Sequence, residues 1–289
     1  MFDKNSSISL IANDAGSANL LIHFFLARNL QPAKVFMAGP ALKIWDNCFP
    51  DTLIASSIKE AIIGCSIVIT GTGWQTDIEH EARILAKNMN IYSIACLDHW
   101  VNYEERFWRN NEIILPDEIW VFDEYALDLA TKIFLDTLIV QQQNFYLEHM
   151  LRLAKAEDEP NIPELLYLSE PVRNNWGQDV QGEFQALDYF LLNIKKLALS
   201  KEYNLIFRSH PSENINKYKK FLEERDVKYT FDLNSDISTS LGRAKWVVGC
   251  QTYALVVACA LNKSVFSSLP PSAPELMLPH EDIKQLKYL

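Results

Sequence analysis

The segment FRSHPSE, residues 207–213, places a cation, an imidazole and a proline together at the end of an apolar run. Pro211 lacks an N–H group and disfavours helical backbone at His210, so the segment is predicted to end a strand in a stiff, extended turn. Arg208 lies two positions before His210, on the same face if the strand persists that far. Together with the hydroxyl of Ser212, these side chains are suited to bind a phosphate group. A surface turn without a ligand is the alternative, and the spacing alone leaves both open.

A second candidate is the segment VVGCQTYA, residues 247–254, in which Gly249 ends an apolar run. Gln251 and Thr252 can cap the helix predicted to follow, and the N-terminus of that helix offers backbone N–H groups to an anion. Many parallel sheets end a strand and cap a helix in this way without a ligand. The motif therefore indicates a phosphate site only in combination with others.

Near the N-terminus, NDAGSANL, residues 13–20, predicts a strand-to-helix turn at Asn13, Asp14 and Gly16, with Ser17 as the helix cap. Asp14 is a candidate general base, because a carboxylate at a sheet edge can accept a proton from a substrate. The alternative is that Asp14 only braces the turn. The segment is not a GxGxxG motif, and the TGTG turn at residues 70–73 lacks the Lys-Ser/Thr of a P-loop, so no dinucleotide or other cofactor is predicted.

The segment CLDHWVNYEERFWRN, residues 96–110, concentrates aromatic and polar side chains after a predicted strand. Rings stack on sugars or bases while amides and carboxylates bind hydroxyl groups, so this density favours a binding surface over a plain core. A capped helix beside an aromatic core patch is the alternative. The residues predicted to bind an acceptor are Asn13, Gly16, Trp74, His99, Trp100 and Arg106.

Short apolar runs alternate with amphipathic stretches along the whole chain, and this alternation positions the candidate residues. Continuous apolar strands separated by helices predict parallel sheets with helices on both faces. The pattern restarts after KAEDEPNIPE, a stretch rich in proline and carboxylates, so we expect a Rossmann-like domain at residues 1–156, a linker at 157–163 and a second Rossmann-like domain at 164–289. The predicted fold class is therefore α/β, with two doubly wound domains facing a central cleft.

Composition excludes several function classes. The 289 residues carry a net charge of −10 and no run of Lys or Arg longer than two, which argues against a nucleic-acid surface. The five scattered cysteines are typical of a reducing compartment, and no metal-binding motif appears. Without a secretory signal or a membrane span, a cytoplasmic protein is expected. Peripheral contact with the inner face of the membrane and the oligomeric state stay open.

Three segments of the second half resemble a known group of proteins: LLYLSEP, NLIFRSHPSE and AKWVVGCQTYALVVACALNKSVFSSLPP. They are similar to the donor-binding half of GT-B-fold glycosyltransferases, and more narrowly to bacterial enzymes of capsule, lipopolysaccharide and teichoic-acid assembly, including sialyltransferase-like families with a His-Pro motif. The resemblance covers residues 164–271. It implies a metal-independent enzyme that moves a sugar from a nucleotide-sugar donor to a glycan or lipid-linked acceptor.

The resemblance also implies residue roles. His210 would contact the donor phosphate or nucleotide, Arg208 would add positive charge, and Gln251 with Thr252 would bind phosphates at the helix N-terminus. The base is less well defined by the resemblance, because the paired-acid-glycine motif of sialyltransferase-like members is matched here only by Asp123-Glu124-Tyr125. Asp14 is the first candidate for the base and Asp98 the second.

Two other functions fit the same sequence. A nucleotide-sugar epimerase or hydrolase would keep the nucleotide site and lack an acceptor site. A non-catalytic nucleotide-sugar-binding relative would keep only the fold.

Overall fold

A computed structural model describes residues 6–289 apart from residues 173, 198, 201 and 235. The chain divides into two compact units, Met1–Tyr146 and Leu147–Leu289. Each unit is built on a six-stranded sheet whose paired strands all run parallel. The predicted α/β class with two Rossmann-like domains is therefore confirmed.

The first unit has the strand order β2-β1-β3-β4-β7-β8. Its elements are β1 (Ile8–Ala12), α1 (Ala15–Ala27), β2 (Lys34–Met37), α2 (Gly39–Cys48), α3 (Ile58–Ile62), β3 (Ile67–Thr70), α4 (Ile78–Asn88), β4 (Tyr92–Cys96), a short antiparallel pair β5 (Trp108–Arg109) and β6 (Glu112–Ile113), β7 (Glu118–Val121), α5 (Glu124–Ile133), β8 (Leu138–Gln141) and the start of α6 (Phe145–Ala154).

The second unit has the order β11-β10-β9-β12-β13-β14. Its elements after α6 are β9 (Glu164–Leu168), α7 (Gly182–Asn193), β10 (Asn204–Arg208), α8 (Asn216–Glu223), β11 (Thr230–Phe231), α9 (Ile237–Arg243), β12 (Ala244–Gly249), α10 (Tyr253–Ala260), β13 (Ser264–Ser267) and β14 (Ile283–Gln285). The predicted linker, residues 157–163, lies within this unit, between α6 and β9.

The central strands are apolar along their whole length because helices cover both faces of each sheet. All five residues of β1 are buried, as are all five of β9. On one face of the first sheet, Phe25 of α1 is fully buried in a cluster with Leu10 and Trp45. In the second unit, Tyr167 stacks between Phe190 and Phe207, at centroid distances of 4.8 and 5.5 Å. These two cores hold the strand ends in fixed register.

Asparagine ends three of the helices that lead back into a sheet. Asn29, Asn90 and Asn262 follow α1, α4 and α10. They adopt left-handed backbone, with φ between 49° and 64°. In each case the next residue donates its N–H to the carbonyl five residues back, as Leu30 does to the Phe25 carbonyl at 2.9 Å. This Schellman geometry satisfies the last helical carbonyls and turns the chain toward the next strand.

We predict that Phe25→Ala lowers the free energy of unfolding of the first unit by about 3–5 kcal/mol, because it leaves a cavity in a fully buried cluster. Leu26→Ala is the matched control: this neighbour on α1 is 44% exposed, and its truncation should cost about 0.5 kcal/mol or less. Urea denaturation followed by tryptophan fluorescence measures both. Equal losses in the two variants would contradict this packing of α1.

Candidate functional site

Each sheet has one point where the order of its strands reverses, and ligands of open α/β sheets bind outside the carboxyl ends of the strands at such points. In the first unit the point lies between β1 and β3, and in the second between β9 and β12. The residues that follow these strands are Asp14, the turn at residues 71–73, Glu170 and Cys250. The candidate site of each unit is built from these positions.

Asp14 is the N-cap of α1. Its Oδ1 accepts the N–H of Ser17 at 3.0 Å and the Ser17 hydroxyl at 3.1 Å. The expectation that Ser17 caps the helix is therefore corrected: the helix begins three residues earlier than a Ser17 cap requires. Asp14 Oδ2 is buried without a hydrogen-bond partner among the described residues. Burial, and then the charge of Asp98, raise the pKa of Asp14 to about 6.

Glu79, on α4, is a residue that the sequence analysis missed. Its side chain is fully buried and points back under the end of β1, where Oε1 accepts the N–H of Asn13 at 3.0 Å. Oε2 has no hydrogen-bond partner among the described residues. Burial, and then the negative charge of Asp14, raise the pKa of Glu79 to about 8.

The glycines of the TGTG turn make room for these two carboxyl groups. A Cβ on Gly73 would lie 2.5 Å from Asp14 Oδ2 and 2.7 Å from Glu79 Oε2. A Cβ on Gly71 would collide with Ser17 and with the other Glu79 oxygen. Glycine is required here by the close approach of carboxyl groups from α4 and from the β1 turn.

Asp98 and Arg106 form the neighbouring part of the same edge. Arg106 Nη1 donates to Asp98 Oδ1 at 2.6 Å and to Thr72 Oγ1 at 3.2 Å, and both charged side chains are mostly buried. Gly16 lies directly against Asp98, because a Cβ there would collide with Asp98 Oδ2. The structure therefore brings together the predicted residues Gly16, Asp98 and Arg106. We call Asp14, Glu79, Asp98 and Arg106 the carboxyl cluster.

The other residues predicted to bind an acceptor have different surroundings. Asn13 is buried, and Trp100 is 7% exposed, with its indole N–H donating to Asp123 at 3.0 Å. His99 Nδ1 accepts the N–H of Trp100 at 3.0 Å, and burial lowers its pKa. Trp74 is 60% exposed. Acceptor binding by these residues stays a prediction.

Asp123 has a structural role in the described fold: it is the N-cap of α5 and accepts the N–H of Ala126 at 2.7 Å. The acid pair that most nearly matches the paired-acid motif therefore begins a helix.

In the second unit, His210 is held by its own turn. The N–H of Ser212 donates to His210 Nδ1 at 3.2 Å, so the neutral ring carries its proton on Nε2. The N–H of His210 itself donates to Ser169 Oγ at 3.2 Å, which fixes the turn against the end of β9. Burial lowers the pKa of His210, so the imidazole is neutral at physiological pH and can donate from Nε2.

Arg208 has a buried carboxylate as its partner. Its Nη1 lies 2.6 Å from Asp232 Oδ2 and also donates to the Asn234 carbonyl at 3.0 Å. Ser240 donates to the same Asp232 oxygen. Arg208 thus joins β10 to the segment after β11. A phosphate bound by Arg208, as predicted, would therefore share its guanidinium group with Asp232.

The turn between β12 and α10 binds a carboxylate of the chain itself. Glu170 Oε1 accepts the N–H groups of Cys250 at 2.7 Å and Gln251 at 2.9 Å. Thr252 is the N-cap of α10, and its Oγ1 accepts the N–H of Ala254 at 3.4 Å. Burial raises the pKa of Glu170 to about 7. At the predicted phosphate position, Glu170 accepts the N–H groups of Cys250 and Gln251, and phosphate binding by Gln251 and Thr252 stays a prediction.

Within the part of the chain that the structure describes, no three His, Cys, Asp or Glu side chains are grouped closely enough to hold a metal ion. The same residues include no helix with the length and apolar character needed to span a bilayer.

No protein-family profile and no curated protein matches the sequence. Solved structures do match: the UDP-GlcNAc 2-epimerase of Neisseria meningitidis bound to UDP-GlcNAc superposes with a TM-score of 0.60 at 13% identity, over 90% of this chain and 82% of that one. The α/β-galactoside α-2,3-sialyltransferase of Photobacterium phosphoreum gives a TM-score of 0.54 at 12% identity, over 99% and 100%. The UDP-GlcNAc 2-epimerase of Methanocaldococcus jannaschii gives 0.60 at 13%, over 90% and 83%. The fold is GT-B-like. The proteins that share it here are enzymes of both kinds, transferase and epimerase.

We predict that Glu170→Ala makes the protein responsive to inorganic phosphate. Removing the carboxylate leaves the N–H groups of Cys250 and Gln251 without this acceptor, which costs about 1–3 kcal/mol, and an added anion can then bind them at the start of α10. The melting temperature of Glu170→Ala should fall and recover in part when phosphate replaces chloride at constant ionic strength. The exposed Glu281→Ala is the control and should behave as wild type. An equal phosphate effect in all three proteins would contradict the assignment.

Proposed function

We propose that the protein is a glycosyltransferase that moves a sugar from a nucleotide-sugar donor to a glycan or lipid-linked acceptor, without a metal ion, in the assembly of bacterial surface polysaccharide. A cytoplasmic enzyme, in peripheral contact with the membrane where its acceptor is lipid-linked, suits this reaction. The observation that carries the proposal is Asp14, a carboxyl group with a raised pKa at the reversal point of a Rossmann-like sheet. Such a group is suited to remove the proton of an acceptor hydroxyl.

Asp14 combines two properties that a general base needs. With a pKa of about 6, it is ionised at neutral pH, yet it is more basic than an ordinary aspartate, which makes proton removal more favourable. Ser17 holds its Oδ1 in place, so the carboxylate loses little freedom when a substrate binds. The Asp98–Arg106 ion pair beside it would offer a hydrogen-bond acceptor and a donor to the hydroxyl groups of a sugar.

The second unit would stabilise the leaving nucleotide. A neutral His210 donating from Nε2 offers a hydrogen bond to a phosphate oxygen, and the N-terminus of α10 at Gln251 and Thr252 offers a favourable dipole. Glu170 would have to move or take up a proton as a phosphate binds there, because two anions would otherwise compete for the same N–H groups. UDP-GlcNAc is the first donor to test, since the meningococcal epimerase of similar fold is bound to it.

A nucleotide-sugar epimerase or hydrolase is the second candidate function. It is favoured by the carboxyl cluster, in which pKa values of about 6 and about 8 leave one carboxyl group ionised and one protonated at neutral pH. Paired groups with pKa values pushed apart are typical of a base and an acid that act together. Incubation of nucleotide sugars without an acceptor separates the candidates, because only an epimerase or hydrolase consumes the donor rapidly under those conditions.

A non-catalytic nucleotide-sugar-binding role would be supported by ligand binding without turnover. Thermal-shift measurements with CMP, UDP, GDP and CDP test binding directly, because a ligand that binds only the folded state raises the melting temperature.

We predict that Asp14→Asn lowers turnover by about 10²–10⁴-fold, the usual contribution of a general base. In the wild type, turnover should fall as the pH drops below about 6, because Asp14 becomes protonated there. Product formation from UDP-GlcNAc, measured by chromatography between pH 5 and pH 8, tests both. The control is Asp46→Asn on α2, and a wild-type rate in Asp14→Asn would show that Asp14 is not the base.

We predict that His210→Ala lowers turnover by about 10²–10³-fold, the cost of losing one oriented hydrogen-bond donor. His210→Gln should retain a larger share of activity, because its amide N–H₂ can reach toward the position of the imidazole Nε2–H. Initial rates at saturating donor measure the effect. If His210→Ala left the turnover of every nucleotide-sugar donor unchanged, this role of His210 would be wrong.

A further inference from the structure

Glu79 and Asp14 direct one oxygen each toward the same point. Glu79 Oε1 is used by the Asn13 N–H and Asp14 Oδ1 by Ser17, so Oε2 and Oδ2 are the remaining oxygens. Both are buried without another partner among the described residues, and both approach the position of a Gly73 Cβ, at 2.7 and 2.5 Å. The two unpartnered oxygens therefore both approach one point beside Gly73.

The charged groups around this pair do not neutralise both carboxyl groups. Asp98 adds a third carboxylate, and Arg106 is paired with it at 2.6 Å. The charge of Arg83, on α4 with Glu79, lowers the pKa of Glu79, but burial and the charge of Asp14 raise it by more. The hydrogen bonds of Arg83 go to the carbonyls of Gly71 and Arg106 and to the hydroxyl of Thr70. The buried Cys96 thiol has a pKa raised well above its ordinary value and stays neutral.

We propose that Glu79 is a positioning residue for Asp14, and that the two carboxyl groups hold one shared proton, which resides on Glu79 Oε2. A protonated carboxyl group is a hydrogen-bond donor, so it can stabilise the ionised Asp14 across Gly73. Two ionised carboxylates in a buried site would repel each other, and one proton removes that repulsion. The meaning of this dyad for catalysis rests on the proposed function, whereas the shared proton itself does not.

In the proposed reaction the dyad keeps its own proton. Asp14 accepts a proton from a substrate hydroxyl and later releases it to solvent, while Glu79 remains protonated throughout. Glu79 thereby keeps Asp14 oriented, and because it is neutral it adds no negative charge beside Asp14. A glutamate that only filled space would have neither effect.

The titration of Glu79 gives the protein a pH dependence with a defined sign. The pKa of Glu79 is about 8 in the folded protein, against 4.5 as its ordinary value. The folded chain therefore binds more protons than the unfolded chain between these limits, and its stability falls as the pH rises through them. This loss is complete only above about pH 8.

We predict that Glu79→Gln removes this loss. The melting temperature of the wild type should fall between pH 5 and pH 9 by more than that of Glu79→Gln. The melting temperature of Glu79→Gln should therefore rise relative to that of the wild type as the pH increases. Glu81→Gln, an exposed glutamate on the same helix, is the matched control and should follow the wild type. Identical pH profiles in Glu79→Gln and the wild type would overturn the proposal.

An infrared titration tests the shared proton without any enzyme assay. The wild type should show a protonated carboxylic-acid band that disappears near pH 8, and Glu79→Gln should lose this component and keep only the one that titrates near pH 7, which belongs to Glu170. In Asp14→Asn the band should titrate at lower pH, because the Asp14 charge raises the pKa of Glu79. An unchanged titration in Asp14→Asn would refute the coupling. A shared proton found in a protein that turns over no nucleotide sugar would leave the dyad standing and refute the proposed function.

Discussion

The arrangement of both candidate sites depends on one constraint: a parallel sheet collects helix N-termini at its carboxyl edge, and the N–H groups there require acceptors. In each unit a carboxyl group of the chain meets this requirement. Asp14 caps α1 through Ser17, and Glu170 accepts the N–H groups that precede α10. Because these acceptors are buried, each carries a raised pKa. The local need for an acceptor thus produces groups whose protonation responds to pH near neutrality.

In the first unit a second carboxyl group, that of Glu79, lies beside that of Asp14. Glu79 satisfies the Asn13 N–H at the end of β1, and this contact alone would explain a single buried acceptor. The absence of side chains at Gly71 and Gly73 then allows Glu79 and Asp14 to approach each other. The two carboxyl groups would repel each other if both were ionised, and a single proton on one of them removes this repulsion. Carboxyl groups with strongly shifted pKa values are concentrated at functional sites.

Much of the fold could be predicted from local pattern. The bounds of β1, β2 and β10 agree with the apolar runs because these strands are short, continuous and bounded by polar residues. Helices α3 and α9 were not predicted, since they are only five and seven residues long. Strand β14 is three residues long and carries a lysine, as edge strands often do, so it has no apolar run from which a strand could be predicted.

The predicted site was incomplete for a different reason. Sequence position indicated Asp14, Asp98 and His210, because each follows a strand directly. Glu79 lies inside an amphipathic helix, where a glutamate ordinarily faces solvent, and only the three-dimensional packing of α4 under β1 places it in the core. Glu170 follows β9, but its importance depends on the approach of a helix 80 residues later in the chain. Long-range acceptors of this kind leave no local signal.

The choice between sugar transfer and epimerisation depends on whether Glu79 exchanges its proton with a substrate. A transferase requires a base for one hydroxyl group, and for that purpose a permanently protonated Glu79 is the better neighbour because it lowers the charge around Asp14. An epimerase requires a proton to leave and return at carbon, so it would use both carboxyl groups. Glu79 is fully buried and bound to the backbone of Asn13, which restricts its contact with a substrate. A proton exchange between Glu79 and a substrate would therefore favour the epimerase, whereas a Glu79 that keeps its proton would favour the transferase.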